Sequence, residues 1–315
     1  MAENNFSLQK TLTMLLDEKK YHSLRDILST MNPADIAAIF DDLDQACLPL
    51  LFRLLPKELA AETFVEMEPE AQELLIRGFS DSELKEVIDE LYVDDAVDIV
   101  EEMPANVVQR ILSQAEPDMR KQINEILRYP EDSAGSIMTT EYVSLRPNMT
   151  VEEAILRIRR TGIDKETIYT CYVTRGHKLI GLTSVKDLLL CEDDDATIES
   201  IMQEHVITVS TLDDKEQVAQ MFSKYNFLAL PVVDTEDRLV GIVTFDDAMD
   251  VMEDEATEDM EKMAAMLPSE HPYMRSTPIE IWKNRIPWLL LLMVSATFTG
   301  QIISSFEDAL SAFTI

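Results

Sequence analysis

The chain contains one pattern twice. "SIMTTEYVSLRPNMTVEEAILRI" (136–158) is echoed from Ser200 onward by "SIMQEHVITVSTLDDKEQVAQMF", and "KLIGLTSVKDLL" (178–189) is echoed from Arg238 onward by "RLVGIVTFDDAM". Such self-similarity constrains a fold more than composition does, because whatever one copy forms the other must form too. Each copy reads as a strand, a helix, two short β-rich runs ("TCYVT" and "KLIGLTS"; "ALPVVD" and "RLVGIVTF") and a closing helix. Two successive small α/β units are therefore expected.

What precedes them is different in kind. Residues 7 to 129 read as helices throughout, with glycine only at Gly78. The segments "NPADIAAIFDDL", "LPKELAAETFVEM", "SDSELKEVIDEL" and "VDDAVDIVEEM" begin near 32, 55, 80 and 93. Several open on a cap-like Asn, Ser or Asp. The first three starts lie about 24 residues apart, which predicts stacked helical hairpins or a right-handed superhelix. "RYPEDSAGSIMT" supplies a proline- and glycine-containing linker at 130–136.

At the other end, the sequence from Ile286 to Phe306 carries no charge. At about 1.5 Å per residue this run reaches roughly 31 Å, enough to cross a bilayer core. Pro287 falls near the start, where a helix tolerates it. Lys283 and Arg285 precede the run and Glu307 and Asp308 follow it, so the positive-inside rule places residues 1–285 in the cytoplasm. The competing reading is a buried helix of a soluble domain. Ala296, Gly300 and Ser304 form a row of small residues suited to packing on another helix. One span cannot enclose a pore, so the chain is expected to be part of a larger membrane protein.

Charge narrows the function. Lys and Arg total 27 against 60 Asp and Glu, a formal charge of −33, which excludes the basic footprint of a nucleic-acid binder. Hydrophobic residues make up 46%, too many for a disordered acidic chain. Residues 1–129 and 130–256 each carry −15, so two acidic bodies must repel unless something neutralises them. The densest stretch is "DDAMDVMEDEATEDM" (246–260), with eight carboxylates and no base. At helical spacing Met249, Met252, Ala256, Met260 and Met263 form an apolar stripe. Asp247, Asp250, Asp254, Glu258 and Glu261 lie opposite. Like charges so placed cost a helix about 0.2–0.5 kcal/mol each, so the face is either well solvated or a cation-binding one. Cys47, Cys171 and Cys191 are odd in number and far apart, which points to a reducing compartment and away from zinc. The four histidines are scattered. No P-loop, GxSxG or HExxH occurs, and no enzyme is expected.

The layout of the duplicated part resembles a cystathionine-β-synthase (CBS) domain pair. Ser184 and Asp187 follow Gly181 as Thr244 and Asp247 follow Gly241. In CBS pairs that bind adenosine nucleotides, the hydroxyl meets phosphate near a helix N-terminus and the carboxylate accepts from the ribose. S/T-x-x-D is equally a helix-capping pattern, and both readings stand. Tyr169 and Phe227 are candidate stacking faces for a base, or packing residues.

The order of parts, with "EDSAGSIMT", "LPVVD…RLVGIVTFDD" and "EDEATEDM", resembles the MgtE family of magnesium transporters up to the first transmembrane helix. The resemblance implies an α plus α/β architecture. A helical N domain spans 1–129 and the linker 130–136. CBS domain 1 covers 137–196 and CBS domain 2 covers 197–253. A connecting "plug" helix at 254–278 and a first membrane span at 286–306 complete the chain. It also implies a homodimeric Mg2+-selective channel of the plasma membrane whose cytosolic part senses Mg2+ and blocks the pore when the ion is abundant. Carried over position by position, the implied metal residues are Glu62, Asp94 and Asp98 in the N domain, with Asp247 and the Gly135 carbonyl facing them. Asp250, Glu255, Glu258 and Asp259 lie near the plug, with Glu216 as their partner. Asn226 stands where the family often has an acid. For ATP, Tyr169, Ser184, Asp187 and Phe227 match. Lys186 stands where arginine is expected, keeping the charge but losing the fork geometry. Oxygen-only ligands suit a hard cation, and the resemblance selects Mg2+ over Ca2+ or Mn2+. Two rival functions are an adenine-nucleotide-sensing CBS regulator and an interaction scaffold built on the helical repeat.

Overall fold

The helical region repeats with a period that its prolines help to set. In the computed structural model, which describes residues 2–41, 43–267 and 278–311, ten helices come first. They are α1 (Ala2–Asp17), α2 (Tyr21–Leu28), α3 (Pro33–Asp41), α4 (Leu48–Phe52), α5 (Lys57–Val65), α6 (Pro69–Gly78), α7 (Asp81–Ile88), α8 (Val93–Glu102), α9 (Ala105–Gln114) and α10 (Pro117–Ile126). Helices α3, α5, α7 and α9 start at the evenly spaced positions Pro33, Lys57, Asp81 and Ala105. Helices α6, α8 and α10 keep the same interval from Pro69 through Val93 to Pro117. Proline opens α3, α6 and α10, where its missing N–H costs no hydrogen bond. α3 packs on α5, α5 on α7 and α7 on α9, while α4 packs on α6 and α8 on α10. The stack therefore buries its apolar faces layer by layer, with Phe52, Phe64 and Phe79 clustered at centroid distances of 5.4–6.5 Å.

The duplicated part forms two three-stranded sheets of the same design. The first half holds β1 (Val143–Leu145), α11 (Val151–Thr161), β2 (Thr170–Arg175), β3 (Lys178–Ser184) and α12 (Val185–Leu190). After the short α13 (Ile198–Ile201), the second holds β4 (Val209–Ser210), α14 (Lys215–Tyr225), β5 (Ala229–Val233), β6 (Leu239–Thr244) and α15 (Phe245–Met263). In both, the first strand runs parallel to the second and the second antiparallel to the third.

The halves are laced together by reciprocal exchange. Thr139, ahead of the first half, bridges Ile242 in β6, and Gln203, ahead of the second, bridges Leu182 in β3. Gly181 and Gly241 make this approach possible. A Cβ on Gly241 would lie 2.7 Å from Met138 Sδ and 2.8 Å from the Thr139 carbonyl. One on Gly181 would lie 2.7 Å from Met202 Sδ and 3.0 Å from the Gln203 carbonyl.

The hydrophobic core does not respect the domain boundary. Buried residues from α1 to α10 join Ala134, Met138, Val218, Phe222, Val243, Ala248 and Val251 in a single cluster, so the helical domain is packed on the second half. The first half keeps its own core around Val143, Leu145, Ala154 and Cys171.

Two expectations change at the C-terminal side. The methionine stripe on α15 is largely exposed, Met263 at 80%, while Ala248, Val251 and Glu261 are buried. Helical periodicity identifies a stripe but not the face a neighbour covers. Here α14 packs on α15 and draws in Ala248 and Val251 instead. The final helix α16 (Pro278–Ser311) starts before the uncharged run, so Pro287 lies inside it rather than near its start. A helix is not obliged to end where charges begin. Its stretch Ile281–Phe306 has mean hydropathy 1.7 with none of it buried, which meets the length and composition of a membrane span and disfavours a soluble core helix. Much of the expected connecting helix, residues 268–277 with His271, lies outside the described residues.

The glycine geometry makes a contrast testable. Gly241→Ala should lower the unfolding midpoint, at a cost of about 1–3 kcal/mol for overpacking. Gly78→Ala meets nothing within 4 Å and should leave the midpoint unchanged or raise it slightly. Thermal unfolding of both variants in detergent checks this.

Candidate metal centre

Helix α8 carries the sequence VDDAVDIVEE, whose apolar positions Val93, Ala96, Val97, Ile99 and Val100 are buried. That burial turns Asp94, Asp95 and Asp98 toward the second half of the tandem pair. There α15 begins with Asp246 and Asp247 in its first turn. Asp247 is fixed locally, because the Thr244 hydroxyl donates to its Oδ2 at 2.5 Å and the Thr244 amide donates at 3.2 Å. The capping pattern thus orients one wall of an inter-domain cleft.

Three cavities follow this seam. One of about 420 Å³ is bounded by Asp94, Asp98, Glu101, Asp247, Asp250 and Asp254, with Lys215 as its basic side chain, Ser136 from the linker and Ile137 at the start of the first half. A second, about 400 Å³, shares Asp98, Glu102, Asp247 and Asp250 and adds Asp95, Asp246 and Glu66. A third, about 450 Å³, holds Glu62, Glu66, Asp95, Asp246 and Glu166.

The electrostatic consequence is uniform. Enclosure by protein, followed by the neighbouring Asp247 and Asp94, pushes the Asp98 carboxyl up to about 8. Asp98 is nonetheless an exposed residue, and it lines two of these cavities. Burial, then Asp247 and Asp246, raises Asp95 to about 7. Burial, then Asp94 and Asp95, raises Glu166 to about 9. Asp94 and Asp247 are both raised, by burial first and then by acidic neighbours, Asp95 for Asp94 and Asp94 for Asp247. Glu101, Glu102, Asp250 and Asp254 move the same way. Carboxylates so crowded bind either protons or a cation.

The structure thus brings Asp94, Asp98, Asp247 and Asp250 around one cavity and puts Glu62 in an adjoining one. Gly135 is buried beside the cleft. A Cβ there would lie 2.5 Å from Tyr129 Cγ and 2.9 Å from the Thr211 carbonyl, so close packing requires glycine. Glu255 is raised by burial, then by Glu216 and Glu258, so these three acids form a separate group where α14 packs on α15. Glu258 pairs with Lys262 at 2.8 Å, and Asp259 is exposed. Asn226 caps α14 in the left-handed conformation, at φ 56°, a role asparagine fills readily.

The nucleotide candidates divide. At the start of α12 the Ser184 hydroxyl donates to Asp187 Oδ2 at 2.6 Å and the Asp187 amide donates back to Ser184 Oγ at 3.1 Å, a complete capping box. Lys186 is exposed beside it, and Tyr169, 67% exposed, is tied there by the Val185 amide donating to its carbonyl at 3.0 Å. Phe227 packs near Tyr225 and Phe222, at 5.4 and 6.4 Å between centroids. Sequence reasoning missed Asp95 and Asp246, though both adjoin chosen residues. It also missed Glu141 and Glu166, single acids in connecting segments that no spacing rule flags.

Known proteins resemble the chain throughout. A family model described as the MgtE intracellular N domain matches residues 31–132, and one for the CBS domain matches 134–192 and 198–254. The magnesium transporter MgtE of Thermus thermophilus is 38% identical over 98% of this chain and 69% of the relative. That of Bacillus subtilis is 32% identical over 95% and 66%. The chain thus spans about two thirds of the length of these relatives. Among solved structures, the cytosolic domain of the Mg2+ channel MgtE in complex with ATP aligns with TM-score 0.73 and 38% identity, over 77% of this chain and 99% of that one. The soluble part of a magnesium transporter aligns with TM-score 0.72 and 33% identity, over 81% and 100%.

Raised carboxyl pKa values fix a sign. Protons stabilise the packed cleft, so without metal its stability is fully present below the ordinary aspartate value and is lost as pH rises through about 8. Metal-free Asp98→Asn should therefore gain stability over the native chain, and the gain should grow from pH 5 to pH 8. Urea unfolding in chelator at both pH values checks it.

Proposed function

Because the chain belongs to the MgtE family of magnesium transporters, we propose that it is the Mg2+-sensing and gate-controlling region of such a transporter. In this reading it works as a homodimer in the plasma membrane, anchored through α16, with residues 1–285 on the cytoplasmic side. The observation that carries the reading is the acid-walled cleft between two bodies that share one apolar core. No enzymatic step is assigned to it.

The chemistry is that of a bridge. Two unit charges about 4 Å apart at an effective dielectric near 20 repel by roughly 4 kcal/mol. One divalent ion between Asp94, Asp98 and Asp247 reverses that sign. Mg2+ sheds its water reluctantly and takes one or two carboxylates per site. The acid-walled cavities of about 400 and 420 Å³ on the seam have room for an ion with a shell of waters of about 30 Å³ each. Bound only to the closed form, Mg2+ at about a hundred times its dissociation constant contributes roughly 2.7 kcal/mol per site, and several sites move an open ensemble to a closed one. In this account Glu216, Glu255, Glu258 and Asp259 hold ions that fix the end of α15 beneath the membrane, so the pore is blocked when Mg2+ is abundant. Monovalent salt screens without bridging and should imitate the effect poorly.

ATP is the second ligand in this reading, held through Tyr169, Ser184, Lys186, Asp187 and Phe227. What favours it is exposed Tyr169 beside a capped helix start, together with the ATP complex of the similar cytosolic domain. Lysine at 186 makes the binding modest.

Protease susceptibility of the 130–136 linker across a Mg2+ titration tests the gate. The native chain should gain protection as Mg2+ rises, and Asp98→Asn and Asp247→Asn should need several-fold more. If both variants are protected at the native concentration, these carboxylates do not close the cleft.

A further inference from the structure

A second group of acids meets the N-terminal end of α8 and shares Asp94 with the cleft. Ligand atoms of Asp94, Glu141 and Glu166 all lie within 4.8 Å of one another, the one such acidic or sulfur-containing triad among the described residues. Calcium–oxygen bonds are about 2.3–2.6 Å and magnesium–oxygen bonds about 2.0–2.1 Å, so this spacing spans a single divalent ion with little or no rearrangement.

Proximity of acids alone would not make a site, but the state of these oxygens adds independent evidence. Asp94 is only 6% exposed, and its Oδ1 is buried without a hydrogen-bond partner. Glu166 Oε2 is in the same condition. A buried acceptor left unsatisfied costs about 1–3 kcal/mol, and more when it is charged. Two such carboxylate oxygens in one triad point to a cation as their shared partner.

The backbone holds the triad in place. Tyr92, the N-cap of α8, supplies no side-chain cap. Instead the Val93 amide donates to Glu141 Oε2 at 3.4 Å across the domain boundary, where the helix dipole favours a carboxylate. The Glu166 amide donates to the Glu141 carbonyl at 3.0 Å, which fixes the two CBS segments side by side. Glu141 comes before β1 and Glu166 before β2, so both acids belong to the first half of the pair. The cleft formed by Asp98, Asp247 and Asp250 belongs to the second half.

We propose that Asp94, Glu141 and Glu166 form a further divalent-cation site that ties the helical domain to the first half of the tandem pair. The apolar core joins the helical domain mainly to the second half, with Met138 its buried residue from the first, so this ion would add an anchor on the first half. One attachment leaves a pivot, whereas two fix an orientation. With three carboxylates as ligands, the site should take Mn2+ and Ca2+ at least as readily as Mg2+, which dehydrates reluctantly.

The inference rests on the reading that the acidic seam takes up divalent cations, and the test separates the two. Mn2+ binding to the full chain in detergent is counted by electron paramagnetic resonance for the native protein, Glu141→Gln, Glu166→Gln and Asp250→Asn. Crystals soaked in Mn2+ are examined by anomalous scattering. Both Gln variants should weaken one Mn2+ by about tenfold or more, since even an outer-shell partner commonly costs that much, and should leave the other ions unchanged. Asp250→Asn should keep that ion. The native crystals should show a peak bounded by the three carboxylates, a result that does not depend on how any variant folds. Peaks in the cleft but none at the triad, with Gln variants matching the native titration, overturn this site and leave the function standing. No Mn2+ or Mg2+ bound anywhere overturns both.

Discussion

Val97 and Val100 on α8 and Ala248 and Val251 on α15 belong to one buried apolar cluster, and Asp98, Asp247 and Asp250 project from the same two helices. Attraction and repulsion are therefore mounted on the same elements. Burial of the apolar faces draws the helical domain onto the second half of the pair, and doing so packs carboxylates until several are raised toward neutral pH or above it. Neither force can be satisfied without the other being answered, so the contact is marginal by construction and sensitive to whatever neutralises it. Lys215, held 3.4 Å from Asp132, is the basic side chain that lines the 420 Å³ cavity of this seam, and one lysine cannot balance its acids.

Duplication explains how such a seam could arise on an ordinary scaffold. The Ser184–Asp187 and Thr244–Asp247 pairs are the same capping arrangement in the two copies, with a hydroxyl donating to the carboxylate at 2.6 and 2.5 Å. One opens into solvent and the other faces α8. What separates them is the helical domain, whose apolar core is shared mainly with the second half. A residue type chosen to start a helix thus acquires a second environment, and its chemistry changes with no change in local geometry.

Much of the architecture was legible in the sequence because it is written in periods. The echoed segments reappear as the reciprocal bridges Thr139–Ile242 and Gln203–Leu182. The even spacing of the helical segments reappears in the starts of α3, α5 and α7. Asp94, Asp98 and Asp247 could be named because they stand in recognisable stretches. Glu141 and Glu166 could not, since each is one acid in a connecting segment and only the tertiary path brings them to Asp94. The methionine stripe was visible as a stripe, but which face of α15 is covered depends on where α14 lies. The uncharged run 286–306 lies within α16, a longer helix that continues through the charges flanking it.

The central claim is that a divalent ion, not screening, holds α8 against the start of α15. Hydrogen–deuterium exchange of the full chain measures this without labels or substitutions, in chelator, in Mg2+, and in NaCl at matched ionic strength. The account predicts that Mg2+ slows exchange in residues 93–102 and 244–254 together, and that NaCl leaves both near their metal-free rates. Equal protection in NaCl and Mg2+, or no change in either segment with Mg2+, would contradict it.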